Sequence, residues 1–189
     1  MTDASAKARI PIIGDAVAPT GFARVNRSTF APLSSIYELH QLATRYDGGA
    51  HDYPWTLYAA NARKSVYGYD QIASPVERIE PALVFVLHDI SFQVHYLALL
   101  KKLVPSPQIV VYSPVKAGPI APEIVQQLHG VASYVMCTEY GRSEIEESLQ
   151  SVREQNPAFP FPALEVIPHG VDCDRFFPLD HNADDTSIS

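Results

Sequence analysis

Two histidines in this sequence each stand at the end of an apolar run. His88 and Asp89 close the run PALVFVLHD, and His169 and Gly170 close ALEVIPHG. An imidazole at such a position can exchange a proton with a substrate or orient a hydroxyl by hydrogen bonding. A lone histidine is also common as a hydrogen-bonded structural residue, and that interpretation of His88 stays open.

A third candidate is the glycine in the segment APTGFARV, which follows the first apolar run. Thr20, Gly21 and Phe22 stand where a helix is predicted to begin. The free N–H groups and the dipole at a helix start favour an anion or a sugar oxygen, and glycine lets a ligand approach the backbone. The spacing is not the GxGxxG of dinucleotide binding. The alternative is that Thr20 only caps the helix and Gly21 is a turn residue.

Other residues that could do chemistry have simpler explanations. Cys137 has no evident histidine partner in the sequence and is expected to be a buried structural thiol. Two glutamate pairs with seven residues between their members are expected on the solvated face of one helix: Glu139 with Glu147, and Glu146 with Glu154. Four histidines lack the spacing of metal ligands, so neither a metal site nor a cofactor is predicted: His40, His51, His95 and His129.

The elements that must position these residues alternate between apolar strands and amphipathic helices. Strands are predicted at residues 10–13, 39–46, 55–60, 81–89, 108–114, 131–138 and 163–168. Helices are predicted at residues 22–36 with an interruption at Pro32, and at 69–79, 92–103, 121–128 and 139–155.

The continuous apolar run at residues 83–87 indicates a strand that is covered on both faces. The pattern therefore predicts a Rossmann-like, three-layer α/β/α fold with a mainly parallel sheet. Ligands of such sheets bind beyond the carboxyl ends of the strands, where His88, Thr138 and His169 are expected.

Composition narrows the classes of function. The 189 residues are 47% hydrophobic and 19% charged, as in globular domains, and the net charge of -7 argues against nucleic-acid binding. No apolar run approaches the roughly 20 residues of a membrane span, and none at the N-terminus resembles a signal peptide. Cys137 and Cys173 are the only cysteines, which indicates a reducing compartment and a cytoplasmic location.

Four segments together resemble the N-terminal lobe of a retaining glycosyltransferase of family 4, which has the GT-B architecture. VIPHGVDCDRFFP is very similar to the family's strand-to-crossover motif, and PTGFARVNRS resembles its glycine loop after the first strand. LVFVLHD resembles its strand that ends in histidine, and VMCTEYGRSEI its later strand followed by a helix. The resemblance extends from Ile10 to Pro178.

The resemblance implies transfer of a sugar from a nucleotide-sugar donor to a hydroxyl acceptor, with retention at the anomeric carbon. His88 would be the catalytic residue at the reaction centre, Gly21 would approach the donor phosphates or the acceptor, and His169 and Gly170 would lie at the hinge. Substrate contacts are also expected from four neighbours in these motifs: Thr20, Phe22, Asp89 and Thr138. The family's two-glutamate motif belongs to its C-terminal lobe, and neither glutamate pair here has that context.

In this interpretation residues 1–179 form the acceptor-side lobe, and residues 180–189 are a disordered tail or the start of a linker. The C-terminal lobe, in cis or in trans, is then a required partner, and the exposed cleft could promote self-association. A truncated chain, a natural fragment and one subunit of a split enzyme fit equally well. The alternative function is a non-catalytic Rossmann-like binding module that kept the fold.

Overall fold

A computed structural model describes residues 7–60 and 63–178. Within these ranges the strands are β1 Arg9–Asp15, β2 Glu38–Thr44, β3 Thr56–Ala59, β4 Val84–Leu87, β5 Ile109–Ser113, β6 Ser133–Met136 and β7 Leu164–Val166. The helices are α1 Gly21–Phe30, α2 Ala73–Ile79, α3 Ile90–Leu100, α4 Pro122–Gln127 and α5 Glu139–Gln155. The predicted tail at residues 180–189 lies outside the described residues.

The strands form one parallel sheet in the order β3-β2-β1-β4-β5-β6-β7. The strands predicted at residues 10–13, 81–89, 108–114, 131–138 and 163–168 are consecutive neighbours in it, which confirms the predicted fold class. The chain reverses its direction of travel across the sheet between β1 and β4. In register, Asp15 at the end of β1 lies opposite Thr44 at the end of β2.

Helices cover both faces of the sheet, but unequally. In β4 the alternating residues Val84 and Val86 belong to the large core that contains residues of α2, α3, α4 and α5. Leu87 packs with the cluster on the opposite face, where Phe22 and Val25 of α1 lie. This arrangement is a three-layer α/β/α sandwich with α1 on one face and four helices on the other.

Four of the five helices are shorter than the sequence pattern predicts, and α1 and α2 differ most from it. The helix predicted at residues 22–36 begins at Gly21 and ends at Phe30, and a 3₁₀ turn follows at Pro32–Ser35. Pro32 accounts for this end, because its ring clashes with the preceding turn and it has no N–H to donate. The segment predicted as a helix at residues 69–79 is helical only in Ala73–Ile79. In the described part of the chain, no helix is long and apolar enough to cross a membrane.

Candidate functional site

The candidate site lies beyond the carboxyl ends of β1 and β4, where the strand order reverses. The connections that follow β1 and β4 run in opposite directions across the sheet. In α/β sheets such a reversal leaves a crevice at the carboxyl ends of the two strands. The loop after β1 brings Thr20, Gly21 and Phe22 to the start of α1, while β4 ends directly before His88 and Asp89.

Close packing fixes the end of β1 beside β4. A Cβ on Gly14 would lie 2.6 Å from the Leu87 carbonyl oxygen, so only glycine lets the two strands and α1 approach this closely. The Asp15 carbonyl accepts hydrogen bonds from Asn26 Nδ2 and Gln41 Nε2, each at 3.0 Å. The direction of the loop after β1 is therefore set by buried amide side chains.

The Asp15 carboxylate ties three elements together. It is fully buried and accepts a hydrogen bond from Thr20 Oγ1 at 2.7 Å and another from Thr44 Oγ1. Arg45 Nε lies 3.9 Å from the same carboxylate. Two hydroxyl donors and a nearby cation stabilise a buried charge that would otherwise be costly. Asp15 was not among the residues predicted from the sequence to form the site.

The structure places Thr20 as the N-cap of α1, where its Oγ1 accepts the Ala23 N–H at 3.2 Å. Thr20 therefore caps the helix, as the alternative interpretation of this residue predicted. Gly21 is the first residue of the helix and is exposed, and a Cβ added there would meet no described heavy atom within 4 Å beyond its chain neighbours and the adjacent helix backbone. Open space above Gly21 leaves the backbone at this helix start accessible.

His88 is fully buried at the end of β4. Its Nδ1 accepts the Asp89 backbone N–H at 2.9 Å, which puts the proton of the neutral ring on Nε2. Burial lowers the pKa of His88, against the opposing influence of the Asp15 and Asp89 carboxylates, so the ring is neutral at pH 7. Nε2 has no hydrogen-bond partner among the described residues.

Aromatic rings enclose the His88 imidazole. Its ring centroid is 4.4 Å from that of Phe92, 5.4 Å from that of Phe22 and 5.8 Å from that of Tyr67. Phe22, Tyr67 and Phe92 are each only partly buried. Because His88 is fully buried among its neighbours, a ligand reaches Nε2 only if surrounding side chains move.

A buried polar chain supports the backbone of His88. Gln93 Nε2 donates to the His88 carbonyl, and Tyr134 Oη donates to Gln93 Oε1 at 2.8 Å. Gln93 and Tyr134 are fully buried, on α3 and β6. The histidine is therefore positioned by both strands and helices of the core.

Lys116 adds a positive charge that the sequence analysis missed. Its Nζ lies 2.8 Å from Asp89 Oδ1 and 5.4 Å from the Phe22 ring centroid, and the lysine side chain is exposed. Asp89 stands at the N-cap position of α3 without capping that helix through its side chain. The Asp89 carboxylate instead pairs with Lys116, beside the start of α1.

The remaining predicted residues lie farther along the same edge of the sheet. Thr138 caps α5, where its Oγ1 accepts the Gly141 N–H at 3.0 Å. His169 and Gly170 follow β7 and are exposed, and the His169 ring centroid is 5.5 Å from that of Tyr112. The structure thus gathers Thr20, Gly21, Phe22, His88 and Asp89 at one point, with Thr138, His169 and Gly170 outside that group.

The glutamate pairs lie on the solvated face of α5, as the sequence predicts, whereas Cys137 is less buried than predicted. Glu139, Glu146, Glu147 and Glu154 are all exposed on α5. Cys137 is only partly buried, and burial raises the pKa of its thiol, which keeps it protonated at neutral pH. Among the described residues, no group of three or more metal-ligating side chains could hold a metal ion.

No model of a protein family matches the chain, and no curated protein matches it either. The chemical interpretation of the site therefore depends on its geometry and on the four motifs.

Proposed function

We propose that this chain is the acceptor-side lobe of a retaining glycosyltransferase that uses a nucleotide-sugar donor. The observation that carries the proposal is His88, a neutral imidazole with an unpartnered Nε2–H at the strand-order reversal beside an open helix start. The four motifs of the sequence supply the class of reaction. A cytoplasmic location belongs to the proposal and is supported by the two free cysteines.

In the proposed reaction His88 donates a hydrogen bond from Nε2 to a sugar oxygen at the reaction centre. A neutral imidazole suits this task, because its Nδ1 is already engaged by the Asp89 N–H and only Nε2–H is left to donate. A donor held in position before the reaction lowers the barrier without reorganising in the transition state. No covalent nucleophile is required of this lobe.

The start of α1 and Lys116 would support the donor diphosphate. The backbone N–H groups of Gly21 and Phe22 are the first two of the helix, and the helix dipole favours an anion there. The exposed Lys116 ammonium lies above Phe22 and adds a positive charge. Cations of a facing C-terminal lobe, in cis or in trans, would complete the neutralisation of the leaving diphosphate.

A transfer assay tests this proposal at Gly21. The chain, with a C-terminal lobe supplied in cis or in trans, is incubated with a panel of nucleotide-sugars, and release of nucleoside diphosphate is measured. Because the space above Gly21 is open, Gly21→Trp should leave the unfolding midpoint nearly unchanged and abolish release. Gly21→Ala is the matched control and should retain most activity. Full activity in Gly21→Trp would show that the glycine is only a turn residue.

A second function, binding of a partner chain without catalysis, is favoured by the segment after β7. Ile167, Val171, Phe176 and Phe177 are all exposed there, and apolar side chains grouped in this way often mark interaction surfaces. Self-association through this segment should appear in sedimentation velocity as a concentration-dependent dimer that Phe176→Ser with Phe177→Ser abolishes. A monomer at every concentration would remove the support for self-association.

A further inference from the structure

A separate cavity opens beside the candidate site, beyond the carboxyl ends of β1, β2 and β3. Its volume is about 550 Å³, within the range typical of small-molecule sites. The residues that line it include Val17, Ala18, Arg45, Tyr46, Ala60 and Val66. The walls are mostly apolar, with one cation among them.

Arg45 is held in an unusual backbone conformation at the edge of this cavity. Its φ is 58°, in the left-handed region that residues with a side chain rarely occupy. The Arg45 N–H donates to the Val66 carbonyl at 2.6 Å, which fixes the residue in place. Unfavourable backbone conformations of this kind concentrate at ligand sites, where a side chain must be aimed in one direction.

The Arg45 guanidinium keeps hydrogen-bonding capacity for a ligand. Its nearest carboxylate, on Asp15, is 3.9 Å from Nε and already accepts two hydroxyl hydrogen bonds. Among the described residues the guanidinium makes no hydrogen bond, and 41% of the side chain is exposed. A guanidinium with free Nη groups binds phosphate or carboxylate in a two-pronged arrangement.

Asp47 gives the cavity a second kind of polar group. It lines the cavity, and its Oδ1 accepts the Gly49 N–H at 3.1 Å within a local turn. A carboxylate has more lone pairs than this one bond uses, so it can also accept hydrogen bonds from ligand hydroxyls. Arg45 and Asp47 together favour a ligand with both an anionic group and hydroxyls.

Tyr67 connects the cavity to the reaction centre. The Arg45 Cζ lies 5.7 Å from the Tyr67 ring centroid, and the His88 ring lies 5.8 Å from it on centroids. A ligand anchored on Arg45 is thus separated from His88 by a single aromatic ring. When Tyr67 turns aside, a hydroxyl of that ligand can approach the histidine.

From these contacts we infer that the cavity holds the acceptor, and that the acceptor is a polyhydroxy compound with one phosphate or carboxylate group that pairs with Arg45. This inference rests on the proposed function and adds the chemical class of the acceptor. The anionic group binds the guanidinium, the hydroxyls contact Asp47, and the apolar walls at Val17 and Val66 contact the carbon skeleton.

The test is a titration of the ¹⁵N-labelled chain followed by amide chemical shifts. The probes are glucose 6-phosphate, glucuronate, glucose and inorganic phosphate. Glucose 6-phosphate or glucuronate should shift the amides of Val17, Ala18 and Val66 and bind at least tenfold more tightly than glucose or inorganic phosphate. The tighter of the two identifies the anionic group. Equal binding of glucose or of inorganic phosphate would overturn the inference.

A variant separates the role of Arg45 from net charge. Arg45→Asn removes the guanidinium and keeps a residue that tolerates the left-handed conformation. Because the guanidinium also lies 3.9 Å from the buried Asp15 carboxylate, the folded fraction is measured by unfolding and binding is compared per folded molecule. Arg45→Asn should weaken binding of the tighter probe at least tenfold. The matched control is Arg153→Asn, which changes the net charge equally at an exposed site in the last turn of α5 and should leave binding unchanged. Unchanged binding by Arg45→Asn would overturn the inference.

Failure of this inference and failure of the proposed function give different results. Transfer to a neutral acceptor at a rate that Arg45→Asn does not alter would contradict the anionic acceptor and support sugar transfer. Binding of glucose 6-phosphate by the cavity, with no transfer from any donor when the second lobe is present, would contradict sugar transfer and support the anion-selective cavity.

Discussion

His88 contains a hydrogen-bonding group that folding leaves without a partner among the described residues. A buried donor with no acceptor costs roughly 1–3 kcal/mol relative to one that is paired. Most buried side-chain polar atoms do have partners, and among the described residues Asn26 Oδ1, Ser113 Oγ and Ser148 Oγ lack one as His88 Nε2 does. The position of His88 beside the open start of α1 is the reason for assigning it to a ligand.

The neutral state of His88 predicts a pH dependence of stability. The folded-state pKa lies below the unfolded value of about 6.5, so the unfolded chain binds more protons as the pH falls. The free energy of unfolding should therefore be highest above pH 6.5 and fall toward pH 5, by up to about 1.4 kcal/mol per pH unit from this group. Denaturant unfolding at several pH values measures it.

The histidine responsible is identified by substitution. His88→Gln should reduce the acid-induced loss of stability, because the variant has no group there whose protonation is suppressed by folding. His95→Gln, at an exposed position on α3, is the control and should follow the wild-type profile. Identical pH profiles for wild type and His88→Gln would show that His88 is not held neutral.

At the scale of elements, the site depends on how closely β1, β4 and α1 approach one another. Gly14 is the point of contact, since an added Cβ would meet the Leu87 carbonyl at 2.6 Å and Asn26 Nδ2 at 2.7 Å. Asn26 in turn anchors the loop after β1 through the Asp15 carbonyl. Separation of these elements would therefore misplace Asp15 and Thr20 together.

Gly14→Ala should destabilise the protein by about 1–3 kcal/mol, the usual cost of added volume in a packed core. The backbone atoms that a Cβ would meet cannot turn aside as a flexible side chain can. Gly21→Ala is the comparison. A Cβ at position 21 meets no described atom within 4 Å beyond its chain neighbours and the adjacent helix backbone, so the free energy of unfolding should change little. Equal effects of the two substitutions in urea unfolding would contradict the packing argument.

The order and type of the elements could be predicted from sequence because each has a strong local signal. The apolar run at residues 83–87 predicts the buried strand β4. Pro32 predicts the end of α1. Boundaries were less predictable where tertiary contacts decide them. The helix predicted from residue 69 begins only at Ala73. Ile72, at the N-cap position of this helix, is buried in the core.

At the scale of the molecule, the sequence predicted which strand ends carry candidate residues but not which of those ends meet. His88 was named from its position at the end of an apolar run and Gly21 from its position at a predicted helix start, and the two do lie in one crevice. Arg45 and Lys116 were missed, because their proximity to Asp15 and Asp89 arises only when the strands line up in order. Long-range pairs of this kind leave no local pattern in a sequence.

The whole chain should fold on its own and bind nucleotide-sugars only weakly. One parallel sheet with helices on both faces buries its own core. In the proposed function the chain forms one half of a cleft, and an open half-cleft leaves a bound donor in water, where electrostatic contacts are weak. Calorimetric titration of the 189-residue chain should therefore show no binding of nucleotide-sugars tighter than about millimolar. Micromolar affinity would place the donor site within this lobe.

The most direct test of the account is the effect of His88→Ala on kcat and KM for a nucleotide-sugar, with the C-terminal lobe present. A group that touches the substrate and acts mainly in the transition state lowers kcat more than it raises KM. We expect kcat per folded molecule to fall about 10²-fold or more, with KM within about threefold of wild type. The folded fraction is measured by unfolding in the same buffer. A destabilised variant with normal kcat per folded molecule would contradict the account and make His88 a structural residue.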